Sequence, residues 1–129
     1  MNCNCGSNRA YGTCCMPLIE GHHQAQTAES LMRSRYTAFT LANIDYLMKT
    51  HHVSTRPIKD KLEILNWAKS VQWMELTILN TQKGKAHDKD GIVEFKALYL
   101  ENGTLQAIHE KSLFRNEKGI WYYVSGQHY

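Results

Sequence analysis

Asn102-Gly103 restricts what this chain can fold into more than any other stretch. Asn followed by Gly favours two residues at positive φ, the geometry of a two-residue hairpin turn whose twist matches the strands it joins. Apolar and polar residues alternate on both sides, so the dipeptide predicts a hairpin and sets its register. Glu101 then faces Thr104, Ala97 faces Ile108, Phe95 faces Glu110, and Val93 faces Ser112. A second turn over 116–119 sets Arg115 opposite Ile120, Phe114 opposite Trp121, and Ser112 opposite Tyr123. Read independently, the two turns put Val93, Phe95, Ala97, Tyr99, Ile108, Phe114, Trp121 and Tyr123 on one face, the expected core. Glu94, Lys96, His109, Lys111 and Tyr122 lie on the other face. A further strand is expected over 73–80, followed by a polar loop over 83–90. Its register stays open, because Trp73 and Leu79 oppose Met74, Leu76 and Ile78.

Upstream of the strands the period is helical. Thr27 is a suitable N-cap for a helix over 28–42, with Ala28, Leu31, Met32, Phe39 and Ala42 on its buried face. Arg33 is one turn from Glu29 and pairs with it, whereas Arg35 falls on the buried stripe. A second short helix is expected over 44–50. Pro57 opens a third, running to about Lys69, with Leu62, Leu65 and Ile58 inward. Three helices followed by an antiparallel meander make an α+β plan, the helices packed on the apolar face of a curved four-stranded sheet with a pocket between. Glu110 and Ser112 form a polar island on that face, bounded by Phe95, Phe114, Trp121 and Tyr123. An isolated buried charge is costly, so Arg35 and Glu110 are expected to meet as an ion pair at the pocket floor.

All four cysteines, Cys3, Cys5, Cys14 and Cys15, crowd the N-terminus. The spacing C-x-C-x8-C-C supplies the ligands of a closed tetrahedral zinc site, structural rather than catalytic. The plain alternative is free thiols or disulfides, although adjacent Cys14 and Cys15 are poorly placed to bond each other. No apolar run approaches the ~18 residues of a membrane helix, and no signal-peptide core follows Met1. The expected compartment is a reducing cytoplasm, where clustered cysteines bind metal more often than they pair. A net charge of +3 is too small to argue for nucleic acid. The chain divides into a knuckle (1–16), a connector (17–26) and an α+β domain (27–129). His22-His23 and His51-His52 are read as surface or loop histidines. His109 and Glu110 are consecutive on a strand, so they point to opposite faces and cannot form an acid–base pair without a bulge.

Several motifs carry a resemblance. The knuckle is similar to the SEC-C motif. Thr27-Ala-Glu-Ser-Leu-Met-Arg-Ser-Arg-Tyr36, Asp45-Tyr-Leu47, Thr55-Arg-Pro57, Gly91-Ile-Val-Glu-Phe95, His109-Glu-Lys-Ser-Leu-Phe114 and Gly119-Ile-Trp-Tyr-Tyr-Val-Ser-Gly126 resemble the bacterial YchJ family. The resemblance implies a SEC-C zinc motif joined to a nuclear-transport-factor-2-like domain, a cystatin-like cone of helices over a curved sheet. It brings no reaction with it. Asn8 stands where SEC-C motifs carry a second glycine, and Asn tolerates the left-handed backbone. The lysines that usually follow are missing here, which weakens the case the resemblance makes for ribosome, lipid or nucleic-acid contact.

Two functional classes follow. The first is a binding or adaptor protein, its zinc knuckle docking a protein partner and its pocket holding a small ligand or peptide. The pocket residues would be Arg35, Tyr36, Phe95, Glu110, Ser112, Phe114, Trp121 and Tyr123. The alternative is a small isomerase- or dehydratase-like enzyme with Glu110 as general base. Fold alone does not choose between them.

Overall fold

The computed structural model describes residues 2–129. In chain order the elements are α1 (Met16–Ile19), α2 (Ala28–Thr40), α3 (Ile44–Lys49), α4 (Lys61–Ser70), β1 (Gln72–Lys83), β2 (Asp90–Glu101), β3 (Thr104–Glu117) and β4 (Ile120–His128). The strands form one antiparallel sheet in the order β1-β2-β3-β4, with the helices on its apolar face. This is the α+β plan expected from the sequence.

The first hairpin follows the predicted register throughout. Asn102 and Gly103 sit at φ 53° and 77°, and Phe95 faces Glu110 while Val93 faces Ser112. The second hairpin does not. Lys118 and Gly119 form a two-residue turn at φ 54° and 86°, so Ile120 faces Glu117 rather than Arg115. Asn116 explains the tighter turn: its Oδ1 accepts from Gly119 N–H at 2.9 Å, and its Nδ2 donates to the Asp88 carbonyl at 3.1 Å. A displacement of two residues leaves every side chain on its predicted face. Phe114 therefore faces Tyr123, and a bulge beyond it makes Val124 the extra residue. Ser112 meets Gly126 instead of Tyr123, and Glu110 meets His128.

Bulges also explain the first strand. Register shifts between Trp73 and Glu75 and between Ile78 and Asn80 break the two-residue period twice. Trp73, Leu76 and Ile78 all reach the core, while Met74 and Leu79 are exposed. No single alternation fits that strand.

Thr27 caps α2 as expected, its side chain accepting from Ser30 N–H at 3.0 Å. The helix stops at Thr40, and Ala42 turns away at φ 54° rather than extending the buried face. The inward face of α4 differs from the expected one. Ile58 and Leu62 are 65% and 67% exposed, and Ala68 is the buried residue. Ile64 and Trp67 face the pocket. A preceding 3-10 turn over Ile58–Asp60 rotates the helix relative to a run starting at Pro57. Leu31, Met32, Val93, Phe95, Phe114 and Trp121 form the centre of the core.

Candidate functional sites: a four-thiol knuckle and an apolar pocket

The knuckle is a small loop closed by Cys3 N–H donating to the Arg9 carbonyl at 2.7 Å, with Gly6 and Asn8 at φ 81° and 66°. Its four sulfurs lie within 4.8 Å of one another. Cys5 and Cys14 are 3.5 Å apart, Cys14 and Cys15 3.9 Å. Sulfurs about 2.3 Å from a tetrahedral ion would be about 3.8 Å apart. The donor set could thus hold a metal ion. Cys5 is held down to about 4, chiefly by its hydrogen bond with Cys15, against the opposing effect of burial.

The knuckle rests on α2. Thr37 is buried beneath it, its hydroxyl donating to Cys15 Sγ at 3.4 Å and lying 3.7 Å from Cys3 Sγ. Arg33 donates to the Cys5 carbonyl at 2.7 Å while its Nε holds Glu29 at 3.0 Å. Asn4 donates to Thr40 at 3.1 Å.

On the other side of α2 a cavity of about 360 Å³ opens between the helices and the sheet. Arg35, Tyr36, Phe95, Glu110, Ser112 and Tyr123 line it. Phe114 and Trp121 do not. Phe114 is fully enclosed in the core, and Trp121 turns away to donate from Nε1 to the Gln26 carbonyl at 3.3 Å. The walls are aromatic and aliphatic: Trp67 and Trp73 meet edge to face at 5.3 Å, as Tyr36 and Trp73 do at 5.8 Å.

Arg35 and Glu110 are 6% and 7% exposed, both inside as expected, but they form no ion pair. Tyr123 stands between them. The Arg35 guanidinium lies over its ring, 4.6 Å from the centroid, and the Tyr123 hydroxyl donates to Glu110 Oε2 at 3.0 Å. Ser112 donates to the same oxygen at 2.5 Å, and His128 Nε2 lies 3.2 Å from Oε1. Arg35 instead spends Nη1 on the end of α3, donating to the Leu47 carbonyl at 2.9 Å and to Thr50 Oγ1 at 2.7 Å. Orphan carbonyls at a helix C-terminus attract such a donor, and that competition displaced the expected pair. Burial lowers Arg35 to about 10 and, with Glu110 adding to the effect, pushes the Tyr123 hydroxyl up.

His109 faces outward, 2.7 Å from Glu94, as expected for a residue next to inward Glu110. His51 and His52, read as surface or loop residues, do lie in the loop after α3 but not at the surface. His52 is 7% exposed, and His51 is half-buried in the pocket wall, lowered to about 4 by burial first and then by Arg35 and Arg56. Thr55 donates its only proton to the Val124 carbonyl at 2.6 Å. The His51 Nε2 contact with Thr55 Oγ1 at 3.2 Å is therefore donated by the neutral imidazole.

The model of the middle, nuclear-transport-factor-2-like domain of YchJ matches residues 27–126. The chain belongs to the YchJ family. A UPF0225 protein of Geobacter sulfurreducens is 44% identical over 96% of this YchJ-family chain and 77% of its own length. One of Vibrio parahaemolyticus is 38% identical over 97% and 74%. Among solved structures, a SEC-C motif containing protein from Rhodopseudomonas palustris superimposes with a TM-score of 0.89, at 36% identity and 98% coverage of both chains. A sec-c motif containing protein from Psychrobacter arcticus gives a TM-score of 0.83 at 32% identity, over 97% of this chain and 81% of that one.

In this YchJ-family fold the bulge at Val124 places one residue that sequence reasoning did not single out for the pocket. Gly126 lies so close to the Glu110 carboxylate that an added Cβ would overlap it and come within 2.8 Å of the Tyr123 hydroxyl. Gly126→Ala is therefore expected to cost about 1–3 kcal/mol by overpacking, read as a lower urea midpoint. In a Glu110→Ala background the same change should cost clearly less. An equal cost in both backgrounds would show that the carboxylate is not what Gly126 makes room for.

Proposed function

We propose that the chain is a binding protein, with a structural zinc ion in the knuckle and a small, mainly apolar ligand in the pocket. The observation that carries this reading is the cavity of about 360 Å³, open between aromatic walls and a few converging polar groups. Zinc is supported by the four-thiolate donor set, which suits a closed site with no position left for chemistry. Its place against Thr37, Arg33 and Thr40 suits an ion that braces α2. Glu110 is poorly suited to be a general base. Ser112 and Tyr123 already donate to one oxygen, and His128 lies beside the other.

The test is binding of 1-naphthol, a neutral probe of suitable size, followed through the indole N–H resonances of Trp67 and Trp73. Saturable shifts confined to the pocket are expected, and Ile108→Trp, which fills the cavity, should abolish them. No saturable shift at millimolar probe would reduce the cavity to a packing void.

A further inference from the structure

The polar groups of the pocket are unequally committed. Glu110 has both oxygens in contact with hydrogen-bonding side chains, and Gly126 closes against the carboxylate. Arg35 has used only Nη1. Among the described residues its Nε and Nη2 have no hydrogen-bond partner, neither is a fully enclosed atom, and the side chain lines the cavity. An arginine 6% exposed in an apolar chamber is expected to have its N–H groups satisfied. Here the Nε and Nη2 edge is left without a protein partner on a side chain that lines the cavity. That edge presents donors in a planar fork, the arrangement that matches the two oxygens of a carboxylate.

Resting on the pocket reading above, we propose that the ligand is a small aromatic or aliphatic carboxylic acid, its carboxylate on the open Nε and Nη2 edge of Arg35 and its apolar body among the aromatic walls. At about 30 Å³ per heavy atom, the volume a water takes in the liquid, the cavity of about 360 Å³ holds about a dozen heavy atoms. Glu110 would repel such a head group directly, but Tyr123 stands between it and Arg35, and its oxygens already meet donors. The specificity is for a hydrogen-bond acceptor with negative charge. An ammonium would meet the open donors of Arg35 without an acceptor of its own.

The experiment compares 4-phenylbutyrate with 4-phenylbutan-1-ol and 4-phenylbutylamine, matched in body and differing in head group, by calorimetry on the full chain. The acid is expected to bind about tenfold to a hundredfold tighter than the alcohol, and the amine weakest. Arg35→Met should bring acid and alcohol within about threefold, while Glu110→Gln, which removes a negative charge, should strengthen acid binding. Equal binding of acid and alcohol would overturn the proposal, as would preference for the amine or an unchanged ratio in Arg35→Met. If Arg35→Met does not fold, the wild-type ratio, the Glu110→Gln result and a shift of the Arg35 Nε–H resonance with the acid decide instead. Should 1-naphthol also fail to bind, the pocket reading itself falls. If 1-naphthol binds and the acid shows no advantage, only the carboxylate assignment falls.

Discussion

Replacing Arg35 by alanine is expected to destabilise the protein by about 3–5 kcal/mol, near the upper end for a single side chain. Three losses combine. The Leu47 carbonyl and Thr50 hydroxyl at the end of α3 lose their donor, at about 1–3 kcal/mol for a buried acceptor left unpaired. The ring of Tyr123 loses the cation stacked on it. The stem of the side chain leaves a void beside a cavity that is already present. Arg35→Met fills most of that void and should cost clearly less, since only the polar contacts go. Urea unfolding of the two variants distinguishes these contributions. If alanine and methionine cost the same, packing is minor and the hydrogen bonds to α3 carry the effect. If neither costs more than about 1 kcal/mol, Arg35 is not a structural residue at all.

Removing the proposed zinc ion is the second change with a large expected effect. Protein purified without added metal should carry about one zinc per chain by elemental analysis. Chelation should then release residues 2–15 and lower the melting temperature by about 10 °C without unfolding the sheet. The size follows from what the knuckle gives α2. It supplies the hydrogen bonds from Arg33 and Asn4 and the thiol contacts of Thr37, each worth about 1 kcal/mol when net solvation is counted. Amide exchange would locate the effect, with protection lost in the C-terminal half of α2 and kept in β2 and β3. An unchanged melting temperature would show that the thiols hold no metal that matters to the fold. Cooperative loss of the whole domain would show the knuckle to be part of its core.

The sheet was legible from sequence where a turn set its own geometry. Asn102-Gly103 fixed a register that holds along the whole hairpin, because two positive φ angles admit little else. Lys118-Gly119 was harder to read, since lysine does not announce a positive φ, and the brace that Asn116 supplies comes from a loop distant in sequence. Bulges are poorly visible for a related reason. A bulge interrupts the period of two by one residue, and in β1 two of them mix both faces into one apolar run. The polar floor was legible as a set of inward residues, but not as a set of partners. Periodicity places Arg35 and Glu110 inside; it does not reveal that the open carbonyl end of α3 competes for the guanidinium or that Tyr123 fills the gap. Gly126 gave a signal only once the bulge had carried it beside Glu110.

The bulges and the segment after α3 have one more effect. A four-stranded meander has two open margins, each a row of N–H and C=O groups on which a foreign strand could build. Along β1 the two bulges twist that row and push Met74 and Leu79 outward, so it offers no continuous template for growth. Along β4 the middle of the row is occupied from within the chain. Tyr123 N–H donates to the Thr50 carbonyl at 2.9 Å, His52 N–H to the Tyr123 carbonyl at 2.7 Å, and Thr55 to the Val124 carbonyl. The residues that join α3 to α4 thus act as a selvedge on one margin, and irregularity does the same on the other. Protection against edge-to-edge aggregation thus comes from bulges on one margin and from the chain itself on the other.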